Sequence, residues 1–256
     1  MNKCNTVYFI WSLKRSGAHG VEAWLFPHFS NHVFFNNVRP QAPLSGAHLK
    51  YKNADDSVTW DELAFGFEDI PFFLNGGSIK SCEDILKVAG LTGRCNRFVN
   101  IIVLRDVANL LSSRLKIIRD GVSHPMSADR ETLRLWRLYA KEFTGATNYL
   151  SNKVTVNFNK WFIDKKYRRK LAARIGLQFT DKGKDTLYIT PNNSKSSSFD
   201  TLRDTSSISN LKVFDRWKYF EDDEEYLMTL SDPDTLALSE EIFGDIPADL
   251  ALKLKL

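Results

Sequence analysis

Cysteine is scarce in this sequence: only Cys4, Cys82 and Cys95 occur in 256 residues. An odd number, scattered without the close pairs of a metal knuckle, argues against a disulfide framework or a zinc site and fits reduced thiols. Long hydrophobic runs are lacking too. No apolar stretch approaches the length of a membrane span, and the segment before Ser12 carries Lys3 but no leader-like core, so a cytoplasmic protein with no membrane partner is expected. Nor does one sign of charge dominate: 35 Lys and Arg against 31 Asp and Glu leave +4. Such a mild excess suits a small polyanionic ligand and falls short of a dedicated nucleic-acid binder. There is no internal repeat and no composition break that would mark a second domain. With 43% hydrophobic residues, residues 1–256 are expected to bury one core as a single domain.

What is present is concentrated between Thr6 and Leu25, TVYFIWSLKRSGAHGVEAWL. Val7, Phe9 and Ile10 lie in an uncharged apolar run, the pattern of a strand buried on both faces of a parallel sheet. Lys14-Arg15-Ser16-Gly17-Ala18-His19-Gly20 then brings together two cations, a hydroxyl and two glycines, and Val21, Trp24 and Leu25 recur at helical spacing. A strand, a basic glycine-containing loop and a helix N-terminus together form an anion site. The first helical turn has N–H groups without intrahelical partners and the positive end of the dipole, and glycine lets a phosphate approach the backbone.

The remaining chain alternates strand and helix signals. His32–Val38 reads as a second strand, and the turn-rich stretch Gln41–Asp56 puts His48 and Lys50 on a loop. A third strand within Trp60–Ile70, centred on Leu63–Glu68, ends in Glu68 and Asp69 before Pro71. A helix is predicted over Cys82–Val88. Phe98–Leu104 is a strongly apolar strand that runs into Arg105-Asp106, and Val107, Leu110, Leu111, Leu115 and Ile118 follow at helical spacing, with Ser113 two turns in. Further helices are expected within Ser127–Leu150 and over Lys165–Ile175, closed by Gly176, with a fifth strand at Val154–Phe158. The serine-rich stretch at about 191–212 reads as a mobile lid, and Asp222–Phe243 as a helical end region. This order predicts an α/β fold, three-layer α/β/α, P-loop nucleotide-binding-like, with a central, mostly parallel sheet of about five strands.

Two motifs within this pattern carry a family resemblance. Lys or Arg followed by Ser-Gly at a strand-to-helix turn resembles the 5′-phosphosulfate loop of sulfotransferases that use 3′-phosphoadenosine 5′-phosphosulfate (PAPS). Arg15-Ser16-Gly17-Ala18-His19 looks most like the Arg-Ser-Gly-Ser-Ser form of carbohydrate-modifying members, with Ala18 and His19 where hydroxyls are usual. The family also binds the cofactor 3′-phosphate through an Arg at a strand end and a Ser eight positions later, the separation of Arg105 and Ser113. A weaker match, Asp215-Arg216-Trp217-Lys218, resembles the family's Gly-Asp-Trp-Lys-Asn segment without its glycine. The resemblance implies PAPS as cofactor, 3′-phosphoadenosine 5′-phosphate (PAP) as product and no required metal. It assigns cofactor binding to Lys14, Arg15, Ser16, Gly17, Ala18, His19, Gly20, Arg105 and Ser113, with Arg203, Lys212 and Arg216 as lid candidates. The histidine that cytosolic members carry before the 3′-phosphate motif is replaced here by Glu68-Asp69-Ile70-Pro71, so a carboxylate base is expected, Glu68 or Asp69, with His48 in reserve.

Sulfuryl transfer develops negative charge on the bridging oxygen as the nucleotide leaves, and Lys14 or Arg15 would counter it. The acceptor expected is a small molecule bearing a hydroxyl or an amine, as for compact bacterial enzymes that tailor natural products. Two other readings stay open. Asp106 ends an apolar strand as the magnesium-binding carboxylate of a P-loop small-molecule kinase would, although the Gly-Lys-Ser/Thr of that class is missing. Basic pI and 12% aromatic residues also fit a non-catalytic nucleotide- or RNA-binding protein.

Overall fold

The computed structural model describes residues 4–29, 31–39, 48–52, 61–74, 77–78, 85, 87, 95–121, 126–186 and 211–255. In chain order the elements are β1 (Cys4–Ser12), α1 (Ala18–Leu25), β2 (His32–Asn36), β3 (His48–Lys52), β4 (Glu62–Glu68), a two-stranded ribbon of β5 (Phe73–Leu74) and β6 (Gly77–Ser78), and β7 (Cys95–Leu104). There follow α2 (Val107–Arg119), α3 (Arg130–Thr144), β8 (Lys153–Asn157), α4 (Phe158–Ile163), α5 (Lys165–Ile175), a 3₁₀ turn (Arg216–Phe220), α6 (Glu224–Leu230), α7 (Pro233–Phe243) and α8 (Ala248–Leu254).

The main sheet has the order β3-β2-β4-β1-β7-β8. Within it β2, β4, β1, β7 and β8 run parallel, so five C-terminal strand ends share one edge. The central strands are apolar because both faces are covered. On one face Val7, Phe9 and Trp11 of β1 join Leu110 and Leu111 of α2 and Trp136 and Tyr139 of α3 in one core cluster. On the other, Tyr8 and Ile10 pack with Trp24 of α1, Trp161 of α4 and Leu171 of α5. The expected three-layer α/β/α arrangement is the one observed.

The five expected strands are all present, and the helix expected over Lys165–Ile175 has those bounds, closed by Gly176 at φ 86°. Several boundaries differ, the second strand ending at Asn36 rather than Val38 and β7 starting at Cys95 rather than Phe98. His48 and Lys50, expected on a loop, lie in β3, antiparallel to β2 with His48 opposite Asn36. Alternating apolar and basic residues in HLKYK suit a charged edge strand, and turn residues on either side obscured it. The fifth strand stops at Asn157, whose side chain accepts from Lys160 N–H and starts α4, so Phe158 is helical rather than the strand's end. The long helix is confined to Arg130–Thr144 by the Asp129 cap and by Gly145 at φ 87°. Asp232 and Pro233 cap and open a new helix inside the expected Asp222–Phe243 region, dividing it. Of Cys82–Val88 only Ile85 and Lys87 are described, both helical, and the stretch expected to form a lid, 191–212, lies outside the described residues except for Leu211 and Lys212.

At the opposite, N-terminal edge of the sheet, Glu62 is less comfortably placed. Its Oε2 is buried without a hydrogen-bond partner among the described residues. Burial, reinforced by the neighbouring Asp61 charge, pushes its carboxyl up to about 7. A carboxyl that binds its proton more tightly when folded makes the unfolded chain the weaker proton binder. Stability therefore falls as pH rises from the ordinary carboxylate range to about 7. Glu62→Gln should flatten this fall and raise the denaturation midpoint above pH 7; urea melts at pH 5 and 8 that respond equally in both proteins would exclude the effect.

Candidate functional site

Three strand ends converge at the C-terminal edge. Ser12 closes β1 and pairs with Glu68, the last residue of β4, on one side and with Val103 of β7 on the other. The chain then turns sharply through Lys14 to Gly17, with Arg15 at φ 74° and Gly17 at φ 85°. Glycine is required at position 17 on a second ground. A Cβ there would stand 2.2 Å from Cε2 of Phe158. Among the described residues no side chain caps the first turn of α1, and Gly20 N–H turns back to the Gly17 carbonyl at 3.0 Å.

The loop is held in place by an ion pair between a buried arginine and a partly buried carboxylate, a pair that no local pattern in the sequence links. Asp69 follows β4 with φ 56° and takes both nitrogens of Arg114, Nη1 to Oδ1 at 2.8 Å and Nη2 to Oδ2 at 3.0 Å. Its Oδ1 also accepts from Lys14 N–H at 3.0 Å, while Arg114 Nη1 reaches the Lys14 carbonyl at 3.3 Å. Fork and carboxylate thus grip the backbone on both sides of one residue, Lys14. Arg114 stands on the apolar stripe Val107, Leu110, Leu111, Arg114, and an arginine in such a stripe was the available signal. Asp69 is occupied by this pairing, whereas Glu68 faces the loop and His19.

Arg105 joins the loop to the rest of the site. Its Nη1 donates to the Arg15 carbonyl at 3.4 Å and to Ser113 Oγ at 3.3 Å, its Nη2 donates to the Val213 carbonyl, and its guanidinium lies 5.5 Å from the Phe158 ring centroid. Burial pulls its pKa down to about 10, with Asp106 opposing and Arg15 adding to the shift. It therefore keeps its charge at neutral pH. Arg15 is lowered too, first by burial, with Glu68 opposing. Ser113 Oγ is shared, accepting also from Arg216 Nη1 at 2.9 Å. Asn109 completes the cluster: its Oδ1 accepts from Arg216 N–H at 2.8 Å and its Nδ2 donates to Asp106 at 2.8 Å. Trp136 Nε1 donates to the Arg105 carbonyl at 2.9 Å, fixing the strand end.

Residues far apart in sequence are thus joined in one buried basic cluster, Arg105 with Ser113 and Arg216, that meets the loop Lys14–Gly20 at the Arg15 carbonyl. Lys212 is exposed beside Val213, and Arg203 lies outside the described residues. His48 shares the sheet edge but is separated from β1 by β2 and β4. Asp106 caps α2 through Asn109 N–H and accepts from Asn159 Nδ2 at 3.0 Å, so both of its oxygens are engaged. Arg114→Ala should cost about 3 kcal/mol, because it strands a partly buried carboxylate; Arg114→Lys should restore little, since the ammonium cannot form the fork. Denaturant titrations giving a loss under about 1 kcal/mol for Arg114→Ala would show that the pair does not hold the loop.

No protein-family model and no curated protein matches the sequence. Among solved structures, the sulfotransferase domain from the Synechococcus PCC 7002 olefin synthase is similar, with a TM-score of 0.53 and 13% identity over 96% of this chain and 98% of that one. Mouse sulfotransferase SULT7A1 complexed with PAP aligns with a TM-score of 0.41 and 11% identity over 92% of this chain and 88% of that one, too distant to argue from. The chain has the sulfotransferase-like α/β fold.

Proposed function

We propose that this protein is a sulfotransferase that moves a sulfuryl group from PAPS to a hydroxyl or amine of a small-molecule acceptor. The observation that carries the reading is the meeting of Arg105, Ser113 and the Arg15 carbonyl within hydrogen-bond reach. Two motifs 90 residues apart thereby become neighbours at one strand edge. The residues present fit the nucleotide. Ser16 Oγ and Arg105 Nε are buried polar atoms with no hydrogen-bond partner among the described residues, and the Gly17 turn offers uncapped amides. PAPS, when bound, supplies an activated sulfuryl group on a phosphate leaving group. Lys14, Arg15 and the α1 amides would hold its phosphosulfate end and counter the charge that grows on the leaving oxygen. Arg105, Ser113 and Arg216 would hold the 3′-phosphate, and Lys212 stands at the edge of that cluster.

Of the expected carboxylates, Asp69 is committed to Arg114, which leaves Glu68 on the acceptor side of the loop. The kinase reading loses its main support, because both oxygens of Asp106 are taken by a helix cap and Asn159. A binder of RNA would be recognised by salt-dependent RNA affinity without PAP affinity.

Calorimetry with PAP is the direct test. One site should be filled without magnesium, and Arg105→Ala should weaken it by about 10- to 100-fold, as expected for a charge-assisted contact. Magnesium-dependent ATP binding with no response to PAP would overturn the proposal.

A further inference from the structure

His19 and Glu22 sit one turn apart on α1, on the same helix face. His19 Nδ1 is 2.9 Å from Glu22 Oε2, and its Nε2 is 3.9 Å from Glu68 Oε1. The three side chains differ sharply in access: Glu22 is 2% exposed, Glu68 13% and His19 40%. A buried carboxylate thus grips one ring nitrogen, while the other points toward a second carboxylate at the open side of the loop. Resting on the sulfotransferase reading, we propose that His19, oriented by Glu22, is the general base that takes the acceptor's proton.

The carboxylate of Glu22 keeps the imidazole proton on Nδ1 and leaves the lone pair on Nε2. A neutral ring in this tautomer cannot donate from Nε2, and an anionic carboxylate beside that nitrogen disfavours a phosphate there. Both features speak against His19 as the phosphate donor expected from the loop motif. They suit a base. The 3.9 Å separation from Glu68 is too long for a direct hydrogen bond, yet an acceptor hydroxyl or amine could lie within reach of both groups. In the transfer, the acceptor O–H or N–H bond breaks and its proton passes to Nε2. The acceptor's electron pair forms the new bond to sulfur, and the bond from sulfur to the 5′-phosphate oxygen breaks with its pair on that oxygen. The imidazolium is held by Glu22 and Glu68 until its proton leaves to solvent. Glu22 is a positioning residue, since it is too buried to touch the acceptor. Among the described residues, the charged groups that face the ring are Glu22 on α1 and Glu68 on β4; Lys14 and Arg15 precede it in the loop, with the Asp69–Arg114 pair behind Lys14.

Side-chain nitrogen NMR and turnover together test this. In the wild-type protein with PAP bound, neutral His19 should be the Nδ1–H tautomer, and Glu22→Leu should shift the ring toward the Nε2–H form, because Nδ1 loses its acceptor. With PAPS and phenol as acceptor, His19→Gln should lower kcat about 100-fold or more while PAP affinity is retained. With p-nitrophenol at pH 8, where it is largely ionised, the loss should be less than about tenfold, since no proton needs to be taken. An Nε2–H tautomer in the wild-type protein, an Nδ1–H tautomer kept in Glu22→Leu, or equal losses with the two phenols would overturn the assignment. Should the wild-type protein bind PAP but use neither phenol, the tautomers of the wild-type and Glu22→Leu proteins decide. Absence of PAP binding would instead remove the sulfotransferase reading on which the assignment rests.

Discussion

A single buried cation ties the functional edge together. Arg105 is 2% exposed, and it touches the loop at Arg15, α2 at Ser113, the C-terminal segment at Val213 and α4 at Phe158. Removing a guanidinium from water is costly unless polar groups surround it. Here its hydrogen-bond partners among the described residues are two carbonyls and a hydroxyl, with Asp106 acting through space. Carbonyl dipoles make burial tolerable without cancelling the charge. The consequence is a field that favours an anion at the edge of the sheet, and it exists before any ligand arrives.

The two sides of the loop are balanced differently. Next to Lys14, Arg114 and Asp69 neutralise one another and act as a clamp on the backbone, leaving the Lys14 side chain outside the pair. Next to Arg15, Glu68 is a carboxylate without such a clamp and lies near His19. Consecutive residues of β4's end therefore have opposed tasks: Asp69 gives rigidity, and Glu68 contributes charge toward the open side. The left-handed backbone at Asp69 accounts for this divergence, since it turns the chain between them.

Packing enforces the same geometry. Phe158 fills the space that a Cβ at Gly17 would need, and Trp161 lies 3.3 Å from the corresponding point at Gly20. The two glycines of the loop are therefore as much a fit to α4 as to a phosphate. Aromatic mass from α4 presses on the loop from one face, and Arg114 of α2 draws it from the other. A loop held this way loses little further freedom when a ligand binds, which favours affinity.

Sequence alone determined the layered α/β class, the five parallel strands and the two basic strand ends. Hydrophobic period and turn residues are local, and Phe98–Leu104 or Lys165–Ile175 declare themselves without reference to any neighbour. The distance of eight between Arg105 and Ser113 is local as well, being two helical turns. Only the tertiary structure decided which of two adjacent carboxylates is consumed in a salt bridge, because Arg114 lies 45 residues from Asp69 and no periodicity links them. It also decided that His48 belongs to an edge strand, since pairing with β2 supplies hydrogen bonds that turn-rich flanks do not announce. Glu22 gives no sign of its place in the sequence for a similar reason. A glutamate on a short helix reads as a solvated charge until the fold buries it, and burial is a property of everything packed around it.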